Sequence, residues 1–179
     1  MTEHNNTNEL IISAKTLDYL GYFGPQILFF ATIYILTISP KYLFIYVAGY
    51  LLNMVLNFVL KRIIKGPRPS EDIKLFNIAI NNGKRFGWDR YGMPSGHSQI
   101  SGFSTAFMYC VTGNIYALLI YFAVSVNTMY QRVKFKNHSI LQVIIGYSVG
   151  LLWGIFTFMI GKKIIDGKLR EKKDDNAPL

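Results

Sequence analysis

The feature that most restricts the fold is where the charges fall. Residues 19–39 contain no charged side chain and hold Phe23, Ile27, Leu28, Phe29, Phe30, Ile33, Ile35 and Leu36. A helix of about 20 residues crosses the hydrocarbon core of a bilayer, so this run is long enough to do so. Pro25 near its start predicts a bend or a late helix beginning. The pattern repeats over 42–60, which ends in Lys61, Arg62 and Lys65, then over 98–112, over 115–130, and from His138 to about Ile160. Charges collect between the runs, as membrane-flanking loops require. At 51% hydrophobic and 16% charged, the 179-residue chain has the length of one domain and is too apolar for an ordinary soluble one. The expected fold class is therefore all-α, an integral-membrane helical bundle with about five transmembrane helices. Residues 1–18 make a polar N-terminal segment, 19–161 the membrane-embedded domain, and 162–179 a charged tail with the composition of disorder.

Smaller signals fill in this frame. The third run is the shortest and carries Ser101, Gly102, Ser104, Thr105 and Ala106, small side chains that suit close helix packing in lipid. Gly113 and Asn114 predict a tight turn after it. Asn53 and Asn57, four apart, share one helix face and are suited to hydrogen bonds between helices. Residues 71–80 have helical apolar spacing and predict a short interfacial helix, with Trp88 and Tyr91 at the membrane–water boundary. The lone cysteine, Cys110, lies in an apolar run, so neither an intrachain disulfide nor a cysteine metal site is expected. The amino end lacks a basic-then-apolar signal, which leaves targeting to the first span. The basic-aromatic stretch 83–91 is flanked by spans and is read as touching lipid, with no nucleic acid as partner. Lys65, Lys84, Arg85 and Arg90 are assigned to lipid headgroups, or to drawing in an anionic substrate.

One polar stretch interrupts the apolar pattern with chemistry: YGMPSGHSQ, residues 91–99. Pro94 stiffens the approach, Ser95 is a capping residue, Gly96 allows a close backbone contact, and His97 stands where a helix begins. A helix start offers spare N–H groups and the positive end of a dipole, a seat for phosphate. Threading the runs through a membrane brings the end of the second, the turn before the third and the link between the fourth and fifth to one face. Lys61, Arg68, Ser95, His97, Arg132 and His138 meet there. Cations hold phosphate oxygens and stabilise the charge that spreads over them during phosphoryl transfer. One histidine then attacks phosphorus while the other protonates the departing oxygen.

These residues carry a resemblance. Lys61, six residues, then Arg68-Pro69; Pro94-Ser95-Gly96-His97; and Arg132, five residues, then His138 resemble the three-part signature of the type 2 phosphatidate phosphatase superfamily, over roughly residues 42–160. The resemblance implies a metal-independent lipid phosphatase, with no cofactor and a helical-bundle fold. Five runs are one fewer than the six spans common in that superfamily. The general pattern has aspartate four residues after the last histidine and serine before the arginine; here these are Gln142 and Gln131. Gln142, the YGMP before the second motif and the HSQ at its end are similar to the dolichyl-diphosphatase branch, which removes one phosphate from a dolichyl diphosphate carrier. By this resemblance His138 is the nucleophile and His97 the general acid. Lys61, Arg68, Arg132, Ser95 and the backbone of Gly96 hold the phosphate, and Gln142 orients His138. The implied reaction is hydrolysis of a polyprenyl (dolichyl) diphosphate to the monophosphate through a phosphohistidine, in the endoplasmic reticulum membrane. Alternatives are a broad-specificity phosphatase for phosphatidate or short isoprenoid diphosphates, a phosphotransferase, and a catalytically weak binder of lipid phosphates, the last if position 142 needs a carboxylate. The motif-bearing face carries twelve of the nineteen lysines and arginines, which by the positive-inside rule is cytoplasmic; the resemblance implies a lumenal or external site.

Overall fold

The computed structural model describes residues 15–70 and 90–174, with side chains as far as Gly167. Among the described residues six helices follow one another: α1 (Lys15–Tyr22), α2 (Gly24–Leu36), α3 (Pro40–Ile64), α4 (Gly96–Thr112), α5 (Ile115–Lys134) and α6 (Ile140–Asp174). The first expected span is a bent pair, α1 and α2, turned by 60° at Phe23. Pro25 sits in the first turn of α2, where its missing N–H breaks no helical bond. Gly113 ends α4 at φ 62°, a left-handed conformation that glycine adopts at no steric cost. The Asn114 side chain then caps α5, accepting from the amides of Tyr116 at 2.9 Å and Ala117 at 3.2 Å.

The surface is inside out by the standards of a soluble protein. Helix α3 buries only Tyr46, Gly49, Asn53 and Lys61, while Leu51, Leu52 and Val55 are each more than half exposed. Lipid, which needs no polar surface from its partner, reconciles the two. By length and apolarity, α3 and the Ile140–Gly167 part of α6 are long enough to cross a membrane, and the bent α1–α2 pair makes a third candidate. The other two expected spans differ for a physical reason. Helix α4 has 17 residues, ten of them buried, so it is a central helix walled by protein. Helix α5 loses apolarity in its last turns, where Thr128, Gln131 and Arg132 are buried.

Helix α6 lies against α4 backbone to backbone. Gly146, Gly150 and Gly154 make a stripe at every fourth residue; a Cβ on Gly146 would come 2.5 Å from the Ser95 carbonyl oxygen, one on Gly154 2.7 Å from that of Phe103, and one on Gly150 would strike that of Gln99. Small residues at this spacing let helices approach in lipid, where packing rather than water drives association. The expected small face of α4 answers with Gly102, set against the backbone of Tyr147. Hydroxyl pairs tie further helices together: Tyr46 to Ser104 at 2.8 Å, Thr32 to Tyr121 at 3.0 Å and Thr105 to Ser125 at 3.2 Å. Around them Leu36, Tyr46, Phe103 and Phe107 form a packed core with Phe29 and Phe158.

Two boundaries shift from expectation. Lys15–Tyr22 is helical, inside the segment read as a polar lead, and Asp18 pairs with Lys134 of α5 at 2.7 Å, which ties this helix down. At the other end α6 runs past Lys162–Lys163 to Asp174, where charge alone suggested disorder; lysine, leucine, arginine and glutamate are good helix formers. The interfacial helix expected over 71–80, and Trp88, lie outside the described residues.

Candidate active site

The three motifs arrive on different elements and are joined by backbone hydrogen bonds. Gly92 N donates to Gly66 O at 2.8 Å, which holds the approach to α4 against the loop after α3. Ser95 N donates to Gln142 O at 3.1 Å, which holds the same turn against the start of α6. Ser95 is fully buried and caps α4, its Oγ accepting from Ser98 Oγ at 3.0 Å and more loosely from Ser98 N at 3.5 Å. Beneath this turn runs a ladder of amides. Asn57 Nδ2 donates to Gln99 Oε1 and Gln99 Nε2 to Asn53 Oδ1, each at 2.8 Å, and Asn57 Nδ2 lies 3.4 Å from Pro94 O. The two asparagines thus serve between helices and fix the level of Gly96, whose Cα faces Asn57.

His138 is held at both ring nitrogens. Its Nδ1 lies 2.8 Å from the carbonyl oxygen of Gly92. A carbonyl only accepts, so Nδ1 carries the proton and Nε2 keeps its lone pair. Gln142 Oε1 is a second, longer partner of Nδ1 at 3.3 Å, while Arg68 Nη1 faces Nε2 at 3.3 Å and donates to Asn137 O at 2.9 Å. The link before α6 is itself anchored, with His138 N donating to Arg132 O at 3.1 Å. Burial first, then the positive charges of Arg68, Arg132 and Lys61, push His138 well below the usual histidine range. The ring is neutral at neutral pH.

Gln142 makes one contact that a carboxylate would not. Its Nε2 donates to Pro67 O at 2.6 Å, and its Oε1 also accepts from Ser139 N at 3.1 Å. One side chain thereby touches the first motif's loop and the third motif's histidine, while its own carbonyl holds the second motif.

Of the cations, Lys61 and Arg132 are 4% and 3% exposed. The Arg132 guanidinium lies over the Tyr22 ring at 5.5 Å, and the same ring stands 5.6 Å from the His97 imidazole. Tyr22 is thus a wedge between the two, placed there by α1 packing on α5. Lys61, Arg68, Arg132 and His97 are all near enough to act on the charge of His138. All eight residues expected from the sequence gather at one end of the bundle. Such a cluster in a low-dielectric setting favours a multiply charged anion. Three contributors were missed: Tyr22, Gln99 and the carbonyl of Gly92. Gln99 and Gly92 did stand in the HSQ and YGMP that mark the branch, without a role read for either, and a Cβ at Gly92 would come 2.7 Å from Gln142 Oε1.

Compared with known families, residues 42–166 match the PAP2 superfamily. The chain belongs to that superfamily. The matched region contains all eight residues of the cluster, and it is the family whose signature the three motifs resemble. Among curated relatives, this PAP2 chain is 35% identical over 130 residues to "Dolichyldiphosphatase" of Saccharomyces cerevisiae, covering 63% of this chain and 49% of the relative. It is 30% identical over 131 residues to "Palmitoyl-protein thioesterase-dolichyl pyrophosphate phosphatase fusion 1" of Schizosaccharomyces pombe, covering 66% of this chain and 19% of the relative. The chain thus spans about half the length of the first and about a fifth of the second. Its fold is similar to the crystal structure of Aquifex aeolicus LpxE, with a TM-score of 0.61 at 18% identity, covering 83% of this chain and 86% of that one.

Proposed function

We propose that the chain is an integral-membrane lipid phosphatase that hydrolyses a polyprenyl diphosphate, of the dolichyl type, to the monophosphate through a phosphohistidine. The observation that carries this reading is the fixed tautomer of His138: a neutral imidazole, N–H bound to Gly92, with its Nε2 lone pair turned toward Arg68. In the proposed reaction the terminal phosphate lies among Lys61, Arg68, Arg132 and the α4 start at Ser95 and Gly96. Nε2 attacks phosphorus, the bond from phosphorus to the bridging oxygen breaks, and its electron pair leaves with the polyprenyl monophosphate. His97 gives its proton to that oxygen. Water then attacks the phosphorus on His138, His97 takes the water's proton, and inorganic phosphate leaves as Nε2 regains its lone pair. The cations stabilise charge on the equatorial oxygens in both steps.

Support for a dolichyl-type substrate comes from the two yeast relatives, and residence in the endoplasmic reticulum membrane follows the same branch. The weak-binder alternative rested on the absence of a carboxylate at position 142. The Gly92 carbonyl fixes the tautomer whatever residue stands there, which favours the enzyme. The test is phosphate release by purified protein in detergent, with chelator present, from dolichyl diphosphate and from phosphatidate, beside His138→Ala. Release that prefers the diphosphate, survives chelation and disappears in the variant is expected. Faster release from phosphatidate would point to the broad-specificity alternative. No release from either lipid by folded protein would overturn the enzyme reading.

A further inference from the structure

A polar cavity of about 410 Å³ is lined by Arg62, Lys65, Arg90 and Tyr91. None of these residues belongs to the three motifs. Their neighbours do: Arg62 follows Lys61, and Arg90 and Tyr91 precede Gly92. The Gly92–Gly66 hydrogen bond at 2.8 Å clamps the two walls together, and Lys65 is held in a left-handed turn at φ 51°, its amide donating to Lys61 O at 3.0 Å. Among the described residues no carboxylate lines the cavity. Three cations and a phenol converging on one space make a recognition site for phosphate oxygens.

One wall of the cavity also borders apolar surface. The Arg62 guanidinium rests 4.5 Å from the centre of the Phe58 ring. One turn down α3, Phe58 joins Met54, Val55 and Ile100 around an apolar cavity of about 320 Å³ that reaches Gly96 of the motif cluster. The apolar cavity thus borders the motif cluster at Gly96, and its Phe58 carries the guanidinium of Arg62.

We infer that Arg62, Lys65, Arg90 and Tyr91 form a second subsite for a lipid-linked phosphate, outside the cluster where the reacting phosphate is held. The inference rests on the lipid-phosphatase reading. Its phosphate has two possible sources, the non-reacting phosphate of the substrate diphosphate or the headgroup of an anionic bilayer lipid.

The test uses the full chain with Arg62→Gln and Arg90→Gln combined, and Lys65→Gln as a separate second variant should the pair not fold. In neutral detergent, kcat/KM is measured for farnesyl diphosphate and for phosphatidate, the slower substrate with a single phosphate. A loss at least about tenfold larger for the diphosphate supports the subsite with the substrate as source, since each lost guanidinium removes charge-assisted hydrogen bonds from one phosphate. Hydrolysis is then repeated in phosphatidylcholine vesicles with and without phosphatidylglycerol. A deficit confined to the phosphatidylglycerol vesicles, alike for both substrates, supports the subsite with the bilayer as source. Equal losses in neutral detergent, or wild-type behaviour in every arm, would overturn it. Calorimetric titration with inorganic pyrophosphate adds a readout that needs no turnover, expected to weaken about tenfold in the variant. Wild-type protein that binds pyrophosphate in this way but hydrolyses no lipid phosphate would overturn the proposed function and leave the subsite standing.

Discussion

The two halves of the bundle are held by different forces. At the motif end nearly every contact is a directed hydrogen bond: Gly92 to Gly66, Ser95 to Gln142, Gln142 to Pro67, His138 to Gly92, Asn57 to Gln99. Further along α3 and α4, rings pack on one another, with Tyr46 stacked on Phe103 at 5.4 Å and tilted against Phe107 at the same separation. In lipid, apolar burial does not drive helices together as it does in water, so packing and hydrogen bonds divide the work. The aromatic half sets how firmly α3, α4 and α6 associate, and the polar half sets where atoms stand. Damage to one should be separable from damage to the other.

The largest separation is expected at His138. His138→Ala removes the proposed nucleophile and should lower phosphate release by more than about a thousandfold, the scale on which loss of a covalent catalyst acts. Thermal unfolding in detergent should change little. A comparable fall in stability would break the division between halves. The opposite pattern is expected of Phe107→Ala, which should lose about 3 kcal/mol by opening a cavity in the aromatic core, with activity per folded molecule retained. Gly150→Leu should act the same way, because its side chain must displace the Gln99 backbone.

Gln142→Asp sharpens the comparison within the polar half. It installs the residue of the general superfamily pattern, yet here it removes the donor to Pro67 O and shortens the reach to the imidazole. Turnover should fall about ten- to a hundredfold, as for other groups that orient a reacting side chain, with KM changing less. Restored or raised activity would mean that the amide has no special part in joining the motifs.

The smallest effect expected near neutrality is that of pH. His138 is neutral in the folded protein, held below its ordinary value near 6.5 by burial and by Arg68, Arg132 and Lys61. Its contribution to activity should persist through pH 6.5 and be lost only as pH falls through the depressed value, where Nε2 takes a proton. Stability linked to this group should decline below about 6.5, since the unfolded chain then binds a proton that the folded one refuses. A stability profile flat through that window, or a nucleophile limb at or above 6.5, would mean the ring is less enclosed than its contacts indicate.

The residues legible in the sequence were those whose chemistry is tied to spacing. Lys61, Arg68, His97, Arg132 and His138 stood out because charged groups at the ends of apolar runs have to share a face. The bend at Pro25 and the turn at Gly113–Asn114 were legible because proline and glycine act locally. The glycine stripe of α6 was also legible, as a repeat at every fourth residue, and was passed over for the small residues of α4. Tyr22 and the Gly92 carbonyl were not legible. An aromatic ring at the end of a bent helix has no distinctive local pattern, and a backbone carbonyl has no sequence signature; each acquires its role only when α1 meets α5 and the 92–95 turn meets α6. The shortness of the third run was legible, and α4 shows its reason. A helix surrounded by other helices need not match the thickness of lipid.

The claim on which the rest depends is that Nε2 of His138, and not Nδ1, carries the phosphoryl group. Rapid quenching of the enzyme with a diphosphate substrate labelled in its terminal phosphate, followed by phosphorus NMR or mass spectrometry of the isolated His138 peptide, measures it directly. An acid-labile phosphate on Nε2, formed and lost as fast as turnover, is the expected result. Phosphate on Nδ1, or full turnover with no label on His138, would contradict it.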